Sequence, residues 1–132
     1  MKTFKSTHLA LLLLFVVLTS FKNESKNDII GKWTFVNSPK NSSPREIEIY
    51  VQDNKYFGKI TKTSGEYDKE IIGHVMMKDF VYNQVDNNYT GKVNSPGGMT
   101  ASGKLSLIDD NNLEININKF IISKTYILTR IN

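Results

Sequence analysis

The segment KYFGKI, Lys55 to Ile60, has a Gly-Lys-apolar core that recurs as GKW (31–33), GKV (91–93) and GKL (103–105), so half of the chain's eight glycines share one local pattern. Side chains of an extended strand alternate between two faces. Tyr56, Gly58 and Ile60 therefore share one face, and Phe57 and Lys59 the other. The same alternation groups Gly91 with Tyr89 and Val93, and Gly103 with Ala101, Leu105 and Leu107. It also groups Gly31 with Ile29, Trp33 and Phe35. In every case the glycine lies on the bulky apolar face and the lysine points away from it. An inward glycine lets a strand bend or approach a neighbour closely, as a small closed barrel requires. An outward lysine keeps the exterior hydrated and discourages pairing of edges.

The rest of the chain has the same period. REIEIYV (45–51) sets Ile47, Ile49 and Val51 on one face and Glu46, Glu48 and Tyr50 on the other. A turn at Asp53-Asn54 leads into KYFGKITKT (55–63), since Asp and Asn tolerate the left-handed backbone of tight hairpins. DFVYNQ (79–84) and the strand around Tyr89 to Val93 flank a VDNN turn. TASGKLSLI (100–108) and LEININ (113–118) flank DDNN, and KTYILTRI (124–131) ends the chain. With IIGKWTFVN (29–37) these make eight short strands, the spacing of an all-β sandwich or barrel. The least regular segment, 63–78, reads as a loop with a short strand or turn around Ile71 to Met77. NSPGGM (94–99) reads as a turn.

The N-terminus has a different character. Lys2 and Lys5 precede an unbroken apolar run from Leu9 to Leu18. A membrane span needs about twenty such residues, so this run fits a secretory signal at 1–20. Residues 21–28 follow as a polar lead-in, and 29–132 form the domain. The chain is expected to be exported, to the periplasm or beyond, with no membrane span unless the signal stays uncleaved. The whole chain has 17 basic and 13 acidic residues. Removing the signal takes two lysines and no acids, leaving 15 against 13. The basic balance then gives little support to a nucleic-acid partner. The chain has no cysteine, so neither a disulfide nor a lipoprotein-type anchor is available.

No catalytic or cofactor motif emerges. Gly98 and Gly103-Lys104 are one residue short of a phosphate loop, with Leu105 where Ser or Thr would bind magnesium and a strand where a helix should begin. Asp68, Glu70 and His74 have a loose metal-ligand spacing, but a solvated loop accounts for them equally well. Met76 and Met77 would face opposite ways on a strand, which weakens a soft-metal reading. There is no nucleophile elbow, and His74 is the only histidine beyond the signal. Glu46 with Glu48 and Asp109 with Asp110 read as solvated pairs on a strand exterior and in a turn. The expectation is a non-enzymatic protein without cofactor, metal or catalytic residues.

Trp33 lies on the first strand and Arg130 on the last. Those strands are neighbours in a closed barrel, so a cation–π contact could close the barrel floor. This pairing resembles the Gly-x-Trp and arginine of lipocalin-like barrels. Residues 29–131 also resemble the exported bacterial domain-of-unknown-function family 2147. The resemblance runs through Gly31-Lys32-Trp33, Tyr56 to Ile60, Gly73 with VMMKDF (75–80), GKVNSPGGMTA (91–101) and KTYILTR (124–130). Ser95, Lys124 and Leu128 depart from that pattern. The resemblance implies an eight-stranded antiparallel up-and-down barrel of lipocalin type and implies no activity.

The interior of such a barrel is just wide enough for side chains or one small ligand. The first functional reading is therefore a binder of a small apolar or amphipathic ligand. Tyr56, Ile60, Tyr89, Val93, Leu105 and Leu107 would line its site, with Trp33 and Arg130 as floor. The alternative is a cell-envelope interaction module with a filled interior, making contacts through 63–78 and 94–99.

Overall fold

A computed structural model describes residues 29–36, 44–64 and 66–132. The expected signal segment and the 21–28 lead-in lie outside the described residues. Eight strands follow one another: β1 Gly31–Phe35, β2 Pro44–Gln52, β3 Lys55–Thr63, β4 Val75–Asn83, β5 Asn88–Asn94, β6 Thr100–Asp109, β7 Asn112–Lys119 and β8 Ile122–Ile131. A 3-10 helix, Glu66–Ile71, lies between β3 and β4. Each strand pairs antiparallel with the next, and β1 pairs with β8, so the sheet closes as an up-and-down barrel. Closure leaves no edge strand.

Alternation fixes the inside of this barrel. Ile47, Ile49, Tyr56, Ile60, Tyr89, Val93, Leu105, Leu113, Ile115 and Leu128 are buried, as are Trp33, Met77 and Phe80. Tyr50 and Phe57 stack on the outer surface with ring centroids 5.7 Å apart, and Lys59 reaches both Glu48 and the Tyr50 ring. The outward half of the KYFGKI pattern is thus a small exterior cluster. Exposed pairs of this kind contribute little individually.

β4 departs from the sequence expectation. It begins at Val75 rather than Asp79, and the 3-10 helix replaces much of the expected loop. Two bulges hide the strand's period. Gly58 pairs with Met77 while Lys59 pairs with Val75, so Met76 is an extra residue. Both Met76 and Met77 are buried as a result, rather than facing opposite ways. Lys78 pairs with Lys92 and Val81 with Thr90, so Asp79 and Phe80 together oppose Gly91. Asp79 adopts the left-handed backbone, φ 57°, that lets such a bulge form.

The second bulge accounts for two of the four repeated glycines. A Cβ at Gly91 would lie 2.6 Å from Phe80 Cδ1 and 2.8 Å from the Lys78 carbonyl oxygen. At Gly103 it would lie 2.7 Å from Val93 Cγ2 and 2.8 Å from Phe80 Cζ. Gly91 and Gly103 are direct partners across β5 and β6. Together they leave a side-chain-free patch that the Phe80 ring occupies. Gly58 does the same for Met77, whose Sδ would stand 2.9 Å from an added Cβ. These inward glycines make room for large side chains from β4.

Glu46 is the second correction. Its outward position predicts a solvated carboxylate, yet it is buried. Thr61 Oγ1 donates to it at 2.5 Å and Lys62 Nζ lies at 3.7 Å. A register shift at Glu46 in the β2–β3 ladder accompanies this placement.

The glycine geometry makes a graded prediction. Gly91→Ala drives a methyl against a backbone oxygen that cannot move freely and should cost about 2–3 kcal/mol. Gly58→Ala meets the movable Met77 Sδ and, at 3.1 Å, the Met77 Cβ, and should cost less than Gly91→Ala, about 1 kcal/mol. Urea unfolding midpoints with unchanged slopes measure both. Equal costs at the two positions would contradict the fit described here.

Candidate functional site

The two ends of the barrel are built differently. At one end lie the tight turns after β2, β4 and β6 together with the start of β1 and the end of β8. Trp33 is buried there, and its Nε1 donates to the Ile29 carbonyl at 2.9 Å. Arg130 pairs in register with Trp33. Its guanidinium carbon stands 4.4 Å from the indole centroid. Arg130 Nε donates to the Asp110 carbonyl at 2.9 Å and Nη1 to the Ile30 carbonyl at 3.0 Å. One side chain thereby ties the entry to β1, the β6–β7 turn and the tryptophan. Gly31 passes beneath it with φ 133°, and an added Cβ would meet Nη1 at 3.5 Å. In the adjoining turn, Asp109 accepts from the Asn112 side chain and the Asn111 backbone. Those bonds hold its carboxyl below the usual carboxylate range, the Asn112 amide contributing most.

At the other end the interior is open. A cavity of about 630 Å³ lies between the ends of β1, β5 and β7 and the starts of β2, β4, β6 and β8. Met76, Val93, Ala101 and Ile115 line its deeper part. Ile117, Phe35 and Tyr126 line its walls, the last two meeting edge to face with centroids 6.2 Å apart. The 94–99 turn contributes Ser95, Pro96 and Met99 to the rim, and the β7–β8 hairpin contributes Phe120 and Ile122. The charged lining side chains are Lys119 and Lys124. No salt bridge among the described residues engages either lysine.

Of the six side chains expected to line a ligand space, Val93 borders this cavity. Tyr56, Ile60, Tyr89 and Leu105 are packed into the core, and Leu107 is partly buried against it. Tyr89 makes ring contacts with both Tyr56 and Tyr82, each at 4.9 Å. The reason is axial position. Parity separates inside from outside, but it does not say which level of the barrel is filled. Phe80 and Met77 fill the middle, and the hollow begins beyond them.

His74 lies in the connection before β4, where its Nε2 donates to the Asn94 carbonyl at 3.0 Å. That bond ties the connection to the end of β5. The Asp68 side chain lies outside the described residues. Among the described residues no three His, Cys, Asp or Glu side chains gather as a metal site.

An eight-stranded barrel pinned shut at one end and hollow at the other is lipocalin-like. A solved structure from Helicobacter pylori, HP1028, described as belonging to the lipocalin family, superposes with a TM-score of 0.58. The two chains are 14% identical over 79% of this chain and 83% of that one, a likeness of fold. No family model and no curated protein sequence matches the chain.

The closed end is testable through the chain's one tryptophan. Arg130→Ala leaves two carbonyls without their donor and should cost about 2 kcal/mol. Trp33 fluorescence should shift to the red as water reaches the indole. Arg130→Lys should recover only part of the loss, since an ammonium cannot span the carbonyls and the ring together. An Arg130→Ala variant with wild-type stability and emission would contradict this role.

Proposed function

We propose that this protein is an exported, non-enzymatic binder of one small apolar or amphipathic ligand, held in the open half of the barrel. The observation that carries this reading is the cavity of about 630 Å³. Ligand pockets usually measure about 300–1,000 Å³. The lining is mostly hydrocarbon and aromatic, with two lysines at the mouth. A ligand with an apolar tail and an anionic head would bury the tail against Ile115, Ile117 and Tyr126 and leave its head near Lys119 and Lys124. Export rests on the Leu9–Leu18 run after Lys2 and Lys5. Descent from the exported family 2147 rests on the quoted motifs and is part of the same proposal. The cavity favours ligand binding over a filled interaction module, because the 94–99 turn assigned to partner contact contributes to the cavity rim.

Native mass spectrometry of protein purified from the cell envelope should show an added small mass. A hydrophobic fluorescent dye should bind the emptied protein and be displaced by a fatty acid. Ile117→Trp should fill the cavity and weaken dye binding by about tenfold or more, which is about 1.4 kcal/mol. Lys124→Glu should weaken a carboxylate ligand several-fold while sparing a neutral one of equal length. A bare mass together with no dye binding would sink the proposal.

A further inference from the structure

The tip of the β7–β8 hairpin is unlike every other turn of the barrel. Lys119 pairs with Ile122, so Phe120 and Ile121 are the two turn residues. Phe120 is 94% exposed, Ile121 100% and Ile122 61%. Three consecutive large apolar side chains thus project into water beside the cavity mouth. Met99, on the neighbouring 94–99 turn, is 59% exposed. Among the tight turns at the closed end, Val85 is comparably exposed, but it stands beside Asp86.

The backbone makes the choice of residues harder to explain by folding. Phe120 has φ 54°, a left-handed conformation that bulky side chains rarely adopt. Gly, Asn and Asp are the residues suited to such a turn position. The barrel uses them elsewhere: Asp53 and Asn54, with φ 53° and 64°, turn the β2–β3 hairpin, and Asn87, with φ 55°, ends the β4–β5 turn. A bulky aromatic at a strained and fully solvated turn position weakens the fold locally. A role outside the fold accounts for it.

Charge identifies the surface it meets. The closed-end turns carry Asp53, Asp86, Asp109 and Asp110. The apolar tip is flanked by Lys119 and Lys124 and the nearby 94–99 turn is uncharged, while the 3-10 helix at the same end carries Glu66, Asp68 and Glu70 against Lys69. The hairpin tip is therefore itself an apolar wedge between two lysines, and the turns at the far end are acidic. An anionic bilayer surface complements that arrangement, since aromatic and aliphatic tips enter the headgroup boundary while lysines meet lipid phosphates. No described helix is long and apolar enough to cross a membrane.

We infer that the Lys119–Lys124 hairpin is a membrane-docking tip that sets the cavity mouth against an anionic lipid surface. It places the opening where an amphipathic ligand can pass between bilayer and barrel. The docking itself rests on the hairpin and does not require the ligand reading.

The test uses the chain from Phe21 onward, which omits the apolar N-terminal run and retains the whole described barrel. Sedimentation with phosphatidylglycerol-containing vesicles should show binding that pure phosphatidylcholine vesicles do not support, and that weakens as salt rises. The double variant Phe120→Asn with Ile121→Gly should lose at least about tenfold in vesicle affinity. Its thermal midpoint should stay near wild type, because Asn suits the left-handed backbone at position 120 and the tip makes no core contact. Lys119→Gln with Lys124→Gln should reduce binding to anionic vesicles and flatten its salt dependence. Undiminished binding by the Phe120→Asn/Ile121→Gly protein would overturn the inference. So would a wild-type protein that ignores vesicles and instead forms dimers that this variant disperses, since the tip would then be a self-association surface.

Discussion

Phe80 occupies the space that side chains at Gly91 and Gly103 would fill, and the rest of the barrel is arranged around that contact. A ring carried on β4 can cross to β5 and β6 only because two facing strand positions lack a Cβ. The bulge at Asp79 aims it there, and Met77 over Gly58 repeats the device on the β3 side. With these side chains across the middle, the interior toward Trp33 is solid. Beyond Val93 no ring crosses the interior as Phe80 does; Phe35 and Tyr126 stand along the walls, and the space between is left as a cavity. Packing at one level therefore determines both the rigid half and the hollow half.

Stability and function then separate along the barrel axis. Arg130 binds the entry to β1, the β6–β7 turn and the indole of Trp33 into one closed end, where most groups are fixed by several partners. The open end is bounded by a glycine-containing turn, a 3-10 connection and a hairpin with an unfavourable turn residue. Elements that exchange a ligand or meet another surface are drawn from such less stable parts of a fold. The position of Phe120 is consistent with that division, because strain there does not reach the core.

Period-two patterning made the strands and the inward face legible, since a half-buried strand must alternate. KYFGKITKT coincides with β3, and the Trp33–Arg130 contact followed from strand adjacency. β4 was obscured because two bulges break alternation at Met76 and Asp79, and no residue type announces a bulge as strongly as a strand. Glu46 was misplaced for the same reason, at a register shift in β2. The cavity was legible only as a possibility. Ala101, Ile115 and Ile117 carry the same inward parity as Leu105 and Leu113, and only the three-dimensional level of Phe80 distinguishes lining from core. LEININ and KTYILTRI leave 119–123 as a connection, but Phe120-Ile121-Ile122 has none of the Gly, Asn or Asp signals that mark a tight turn, so nothing in the sequence singled out the tip.

The central claim is that the barrel is solid below Phe80 and hollow above it. Methyl-resolved NMR during titration with a medium-chain fatty acid tests it most directly. Signals of Met76, Val93, Ala101, Ile115 and Ile117 should shift in proportion to occupancy, while those of Ile47, Ile49, Leu113 and Leu128 stay fixed. Shifts spreading to Leu128 and Ile49, or no saturable shift at any of these methyls, would contradict the account.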